Sequence, residues 1–343
     1  MHSIIYRHAP INSQKALQRA LHCNTNELNE ALDSIRYRQV PLKKKDGGTR
    51  IAYDAVPPLK FIQKRITSNI FQKITFPYYI HGCIRDKTAP RSIYTNAEPH
   101  AGKKYIINCD IKNFFPSISD NIVYDIYRYC LNFSPEVSNT LTILCTLDGH
   151  LPQGASPSSY LANLVFWDVE PILVKELETK GFTYTRFADD ITISTNKELK
   201  NSDKSAAINI IRNRLRKKNC TLHKNKTMVL RRGKSIKIRD KNQDNTYNVP
   251  VSVTGLTVCN SKIGISKIER KKIRAAVHRL SQEDLTKISQ DSWKTKFSSA
   301  MGKVSRLCKC GYKEGDSLKS QLRLLNKKYK RICQRRANVS GLK

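Results

Sequence analysis

Acidic residues are scarce in this 343-residue chain. Twenty-eight Asp+Glu stand against 62 Lys+Arg, a formal net charge of +34. A chain so charged repels itself unless a polyanion neutralises it, so nucleic acid is the first expected partner and an anionic membrane surface the second. The membrane reading weakens because no run of 18 or more apolar residues exists to span a bilayer. Met1 to Pro10 has no continuous apolar stretch of the kind a secretory leader needs. Paired cysteine spacing is missing as well. Ten cysteines are scattered from Cys23 to Cys333, and the Cys308-x-Cys310 pair has no second pair at zinc-finger distance. Reduced thiols in a cytoplasmic protein are therefore expected, not zinc clusters or disulfides. Internal repeats and low-complexity tracts are also lacking. Apolar residues, at 39%, are plentiful enough for a packed core, and the length suits two or three packed units.

The charge is unevenly spread. Residues 260–343 hold 23 Lys+Arg and 6 Asp+Glu, a surplus of 17, so one quarter of the chain carries half the net charge. Ile268, Ile273, Val277 and Leu280 recur at near-helical spacing, as do Leu318, Leu322, Leu325 and Tyr329, with basic residues between them. The pattern predicts a small basic helical domain suited to a phosphate backbone. Between about Tyr105 and Gly255, strand and helix patterns alternate. Tyr105–Ile111 reads as a short apolar strand carrying Asp110. Ser119 or Asp120 can cap a helix running to about Leu131, and Ser158 to about Thr179 reads as a second helix. Phe182–Phe187 and Ile191–Ser194 alternate with period two around Ala188-Asp189-Asp190, which predicts a hairpin with two carboxylates at its tip. Residues 205–218 look helical again. This β-α-β-β-α-β order predicts an α+β fold with a split-βαβ sheet and helices on one face. Nearer the N-terminus, Lys43 to Arg50 resembles a basic hairpin turn, and Leu59 to Ile74 an amphipathic helix.

In such a sheet the strand of Asp110 lies beside the hairpin of Asp189 and Asp190, which crowds three carboxylates. Like charges that close need a counter-ion. A pair of Mg²⁺ ions suits hard oxygen ligands and phosphoryl or nucleotidyl transfer. An isolated Asp-Asp pair is more often a polar turn; a third, strand-borne Asp on a basic chain favours catalysis.

These residues carry a resemblance. Phe187-Ala-Asp-Asp190 resembles the F/Y-A-D-D box of reverse transcriptases. Asn108-Cys-Asp-Ile-Lys-Asn-Phe-Phe-Pro-Ser117 resembles their first catalytic box, and Leu151-Pro-Gln-Gly-Ala-Ser-Pro-Ser-Ser159 the box between them. Tyr is commoner than Phe187 at the head of the Ala-Asp-Asp box, a departure that leaves the metal ligands untouched. Asn96-Ala-Glu-Pro-His100 is similar to the N-A-x-x-H signature of retron reverse transcriptases, and Val253-Thr-Gly-Leu256 to their V-T-G signature. The resemblance covers roughly residues 30–265 and implies a right-hand polymerase: N-terminal region and fingers over 1–104, an antiparallel ferredoxin-like palm over 105–255 with a fingers insertion at about 120–160, and a basic, RNA-binding helical thumb over 256–343.

The resemblance also assigns roles. Asp110, Asp189 and Asp190 would bind two Mg²⁺ ions, with the backbone carbonyl of Ile111 as a further ligand. Phe115 would be the aromatic gate that rejects a ribose 2′-OH from the incoming dNTP. Gln153 and Gly154 would meet the nucleotide or template, and Arg50, with Lys44 or Lys45, the triphosphate. Lys226 would protonate the leaving pyrophosphate, although a lone Lys on a basic chain is more often surface charge. Asn96 and His100 would contact structured RNA or organise the loop beside the catalytic strand, with a core or capping histidine as the plainer reading. Phe187, Thr254, Gly255 and Leu256 would lie along the primer and template. Family members copy a cognate structured non-coding RNA, primed from an internal 2′-OH, into branched single-stranded DNA. A host ribonuclease H trims the template, and an effector protein encoded nearby joins the enzyme in anti-phage defence. Two rivals stay open. One is another bacterial reverse transcriptase (group II intron-like or defence-associated) extending a 3′-OH primer, although Glu98 and the lack of a maturase-endonuclease extension count against the intron form. The other is a non-catalytic RNA-binding scaffold.

Overall fold

The structure is a computed structural model that describes residues 3–43, 47–86, 88–233, 236–239, 246–249 and 251–340, with side chains for all of these except 236–239, 246–249 and 337–340. Lys44 and Lys45 lie outside the described residues.

The N-terminal part begins with β1 (Ile5–Tyr6), α1 (Gln14–Leu21) and α2 (Thr25–Asp33). Ser13 caps α1 by accepting from the Ala16 N–H, and Asn24 with Glu27 closes a capping box on α2. The hairpin β2 (Tyr37–Lys43) and β3 (Thr49–Ala55) follows, then α3 (Leu59–Asn69), β4 (Ile74–Thr75), which pairs back onto β1, and α4 (Ile93–Ala97).

The central sheet starts with β5 (Tyr105–Asp110). After it come α5 (Phe114–Ser117) and α6 (Asp120–Asp125). Ser119 caps α6, and the helix runs on through a widened last turn in which the Leu131 N–H donates to Ile126 O at 3.0 Å. Next are α7 (Pro135–Cys145), α8 (Ser158–Leu164) and α9 (Glu170–Thr179). The single helix expected over 158–179 is thus two helices. Pro171 lacks an N–H, and its ring clashes with the preceding turn, so the chain breaks at 165–169 and restarts with Pro171 in the first turn of α9. β6 (Thr183–Phe187) and β7 (Asp190–Thr195) form the expected hairpin, α10 (Asn201–Arg216) crosses over, and β8 (Met228–Arg231) closes the sheet. The strand order is β6-β7-β5-β8 with every neighbouring pair antiparallel, the arrangement of a split-βαβ sheet.

Two small hairpins follow, β9 (Ile236–Arg239) with β10 (Thr246–Val249) and β11 (Ser252–Val253) with β12 (Leu256–Thr257). The chain ends in three helices, α11 (Lys267–Ser281), α12 (Gln290–Lys309) and α13 (Lys313–Ser340). No helix among the described residues is long and apolar enough to cross a membrane.

Apolar side chains gather in two clusters. The larger joins α1–α3, α6–α10 and one face of β5 through Ile107 and Cys109, with Ile111 just beyond the strand. The smaller is built from α11–α13 with Val253, Leu256 and Val258, and it takes Ile106 from the opposite face of β5, Leu230 from β8 and Ala97 from α4. Alternation along one strand therefore feeds both clusters.

Candidate active site

The β5–β7 register sets Asp110 directly opposite Asp190. Phe187 pairs with Asp190 across the hairpin, so Ala188 and Asp189 are the two loop residues. Ala188 takes φ = 55°, a left-handed conformation that strains a residue with a Cβ. The main chain is stapled around the carboxylates: the Ile111 N–H donates to Asp189 O at 3.0 Å, and the His223 N–H to Asp110 O at 2.7 Å. The second of these bonds brings the 224–226 turn over the sheet. Lys226 Nζ then lies 3.0 and 3.2 Å from the two Asp110 carboxylate oxygens.

The carboxylates feel their surroundings. Loss of water around Asp190, followed by the charges of Asp189 and Asp110, pushes its carboxyl up to about 6. Burial foremost, and then Asp110, raises the Asp189 carboxyl, while Lys226 and Arg50 pull it back. The hydrogen bond to Asp110 raises the Lys226 ammonium above its ordinary value. Among the described residues no three His, Cys, Asp or Glu side chains stand as a ready-made cation cage, and Asp110 is paired with Lys226. The donors nevertheless fit divalent ions: they are hard carboxylate oxygens, and the mutual repulsion felt by Asp190 is what a dication relieves.

The remaining expected residues fall into two groups. Arg50, exposed on β3, is near enough for its charge to act on Asp189. Gln153 O accepts from the Tyr53 N–H at 2.7 Å. Gly154 sits at φ = 111°, where an added Cβ would come within 3.1 Å of Tyr53 O. The 151–155 loop is thereby clamped to the strand that carries Arg50. Phe115 is half-buried, edge-on to Phe114, and Phe187 is half-buried at the end of β6. Thr254 and Gly255 form the β11–β12 turn at φ = 46° and 78°. Thr254 Oγ1 donates to Ile93 O at 3.1 Å, and Arg306 Nη2 to Gly255 O at 3.3 Å, so the turn links α4 to α12.

Asn96, His100 and Leu256, expected along nucleic acid, are interior, which corrects that reading. They are 1%, 0% and 0% exposed. The reason is packing: α4 lies against β6 and the β11–β12 hairpin. His100 bridges the sheet from behind, with Nδ1 2.7 Å from Ser194 Oγ and Nε2 2.8 Å from Thr185 Oγ1. Burial, reinforced by His81 and Lys103, pushes His100 down to about 3, so the ring is neutral. The Asn96 amide finds no partner among the described residues. For His100 this placement matches the plainer reading, a core histidine that ties β6 to β7.

Four residues that support the hairpin escaped sequence reasoning. Arg186 is fully buried on β6 and forms a two-point pair with Glu170, Nε–Oε1 at 2.6 Å and Nη2–Oε2 at 2.8 Å. Its Nη1 donates to Ala188 O at 3.2 Å and its Nη2 to Asn163 O at 2.9 Å. Burial alone would lower the guanidinium, but Glu170 holds it above its ordinary value. The available signal was parity: Arg186 shares the strand face of buried Phe182 and Tyr184. Gly82 lies under the tip, where a Cβ would meet Ala188 N at 2.5 Å, and Asn163 Nδ2 donates to Gly82 O at 2.6 Å. No local pattern marks either residue.

A family model described as reverse transcriptase (RNA-dependent DNA polymerase) matches residues 42–258, which run from the end of β2 through β3 and the central sheet to the β11–β12 turn. The chain is a reverse transcriptase of the retron type. It is 30% identical over 316 residues to the Retron Se72 reverse transcriptase of Salmonella heidelberg, covering 91% of this chain and 79% of that one. It is 29% identical over 330 residues to the Retron Ec48 reverse transcriptase of Escherichia coli, covering 92% and 77%. The Retron Ec86 reverse transcriptase of Escherichia coli is 29% identical over 251 residues, covering 72% and 70%. A telomerase structure from Candida albicans superposes with a TM-score of 0.42 at 10% identity, over 88% of this chain and 63% of that one, a likeness too low to carry an argument. In this retron-type reverse transcriptase the right-hand α+β polymerase fold is the frame for the carboxylates described above.

Proposed function

We propose that this reverse transcriptase copies a cognate structured RNA into DNA from dNTPs at the junction of β5 and the β6–β7 hairpin. The observation that carries the reading is the in-register juxtaposition of Asp110 with Asp190, beside Asp189. Asp110, Asp189, Asp190 and the Ile111 carbonyl would hold two Mg²⁺ ions, which when bound lower the pKa of the attacking hydroxyl and neutralise charge on the phosphates. Arg50 binds the triphosphate, a task suited to a planar cation with several donors. Phe115 presents ring volume to the sugar and excludes a 2′-OH. Gln153 and Gly154 line the nascent pair, where the glycine lets backbone come close. Lys226 holds a proton at Nζ that the departing pyrophosphate can take. Phe187, Thr254 and Gly255 border the primer end.

In this reading residues 1–104 form the N-terminal region and fingers, 105–255 the palm, and 256–343 a thumb whose cations grip RNA by shape and phosphate. Priming is from an internal 2′-OH, giving branched RNA–DNA. A host ribonuclease H removes template, and the product complex works in the cytoplasm with an effector encoded nearby, in anti-phage defence. The Asp189→Asn, Asp190→Asn double variant tests the chemistry: dNTP incorporation is lost while RNA binding persists. Equal polymerisation by the variant removes the catalytic assignment. Nucleic acid that co-purifies with the chain tests the priming: DNA joined to RNA through a bond that debranching enzyme cleaves supports it, and extension of an ordinary annealed 3′-OH primer with no branched product refutes it.

A further inference from the structure

At the end of the helical domain far from the sheet, α12 and α13 leave a groove of about 360 Å³ between them. Trp293 and Tyr329 stack in its floor, ring centroids 4.5 Å apart and planes 21° from parallel. Phe297 continues the stack at 5.8 Å and 20°, and it is half-buried, so part of its ring stays open to solvent. The indole N–H donates to Asn326 Oδ1 at 3.0 Å, which fixes both the Trp ring and the amide at the groove wall. Exposed Lys294 and Lys330 stand at the rim. From residue 326 to 336, α13 carries Lys327, Lys328, Lys330, Arg331, Arg335 and Arg336 and no acidic residue.

We infer that this groove receives an unpaired nucleobase of the RNA partner. Parallel aromatic planes with an amide at the edge match a flat π-faced ligand, and the two rim lysines, Lys294 and Lys330, match the phosphates on either side of it. A peptide of ordinary composition gains nothing from the rim lysines and the acid-free, basic end of α13 beside them, whereas every nucleotide brings one negative charge. The groove also lies away from the polymerisation site. Trp293 is thirteen residues before Arg306, the residue that touches the β11–β12 turn, which is about 20 Å along a helix. The base it takes is therefore outside the duplex being made, in a loop or bulge of the RNA. This inference rests on the reverse-transcription reading for the identity of the polyanion.

The chain has two tryptophans, so Trp167→Phe leaves Trp293 as the sole indole reporter. Titration with a short single-stranded oligoadenylate is expected to quench Trp293 emission, and a ribose-phosphate strand of equal length without bases to leave it unchanged. Phe297→Ala is expected to weaken the oligoadenylate about tenfold, and Phe297→Tyr, which keeps the ring, to restore it. The inference is overturned if the abasic strand binds as tightly as oligoadenylate with Trp293 silent, which would leave a phosphate surface alone. It is overturned as well if a leucine-rich amphipathic peptide shifts Trp293 and oligoadenylate does not, which would give the groove to a protein. Primer extension by the unsubstituted chain tests polymerisation by itself, so the two readings can fail separately.

Discussion

The Arg186–Glu170 pair gives the sharpest test of how the β6–β7 hairpin is held. Glu170→Gln keeps the shape but leaves a cation on a residue with no solvent exposure, facing only neutral acceptors. The change also removes the charged acceptor of the Tyr184 hydroxyl, which donates at 2.7 Å. Breaking one side of a buried pair costs about 3–5 kcal/mol, a large share of the roughly 5–15 kcal/mol that holds a folded protein together. With a denaturant slope of about 3 kcal/mol per molar urea, a loss of about 4 kcal/mol lowers the midpoint by more than about 1 M. Replacing both residues by Met removes the stranded charge along with the pair, so much of that stability returns. DNA synthesis does not return with it, because the Ala188 carbonyl has lost its guanidinium donor and the tip that carries Asp189 is no longer pinned. Urea unfolding followed by tryptophan fluorescence, read beside dNTP incorporation, separates the two effects. An unchanged midpoint in Glu170→Gln, or full activity in the double Met variant, would refute the reasoning.

Other outcomes follow from the same geometry. Gly82→Ala drives a Cβ into the Ala188 backbone, so it should cost about 1–3 kcal/mol and depress DNA synthesis more than RNA binding, checked by denaturation and a filter-binding assay. His100 is held neutral, its folded pKa lying below the unfolded value of about 6.5. Its contribution is therefore complete above that pH and is lost as pH falls toward about 3. At pH 5 the loss is about 2 kcal/mol, and His100→Gln should flatten that slope in urea midpoints measured across the range. Asp190 has the opposite sign. Its raised carboxyl favours the fold most below its unfolded value, and that advantage disappears as pH rises through about 6. Asp190→Asn should accordingly melt higher than the parent at neutral pH without added metal, and gain less than the parent when Mg²⁺ is added.

The Asp110 strand and the Asp189–Asp190 hairpin were legible because their patterns are local. A strand ending in Asp110 and a period-two hairpin around Asp189 and Asp190 can be read within a few residues, and the sheet order follows from the order of elements. Burial is a different matter. Asn96, His100 and Leu256 belong to short motifs that look the same on a surface or in an interior, and only the packing of α4 under the sheet decides between the two. The restart at Pro171 was visible, but apolar spacing through Leu164, Val165 and Val169 masked it. Glu170, Asn163 and Gly82 meet the hairpin from distant parts of the chain, and nothing in their immediate neighbours announces that meeting.

β5 is a party wall. Its odd-numbered side chains belong to one apolar cluster, and Ile106 belongs to the other. Asn108 sits on that second side, where its Nδ2 reaches Ser252 O at 3.0 Å while its Oδ1 accepts from Thr192. Neither compartment can be emptied without stripping a surface of the partition they share. The basic tail and the sheet should consequently melt as one unit, and a proteolytic fragment ending before residue 251 should lose order in the very strand that presents Asp110.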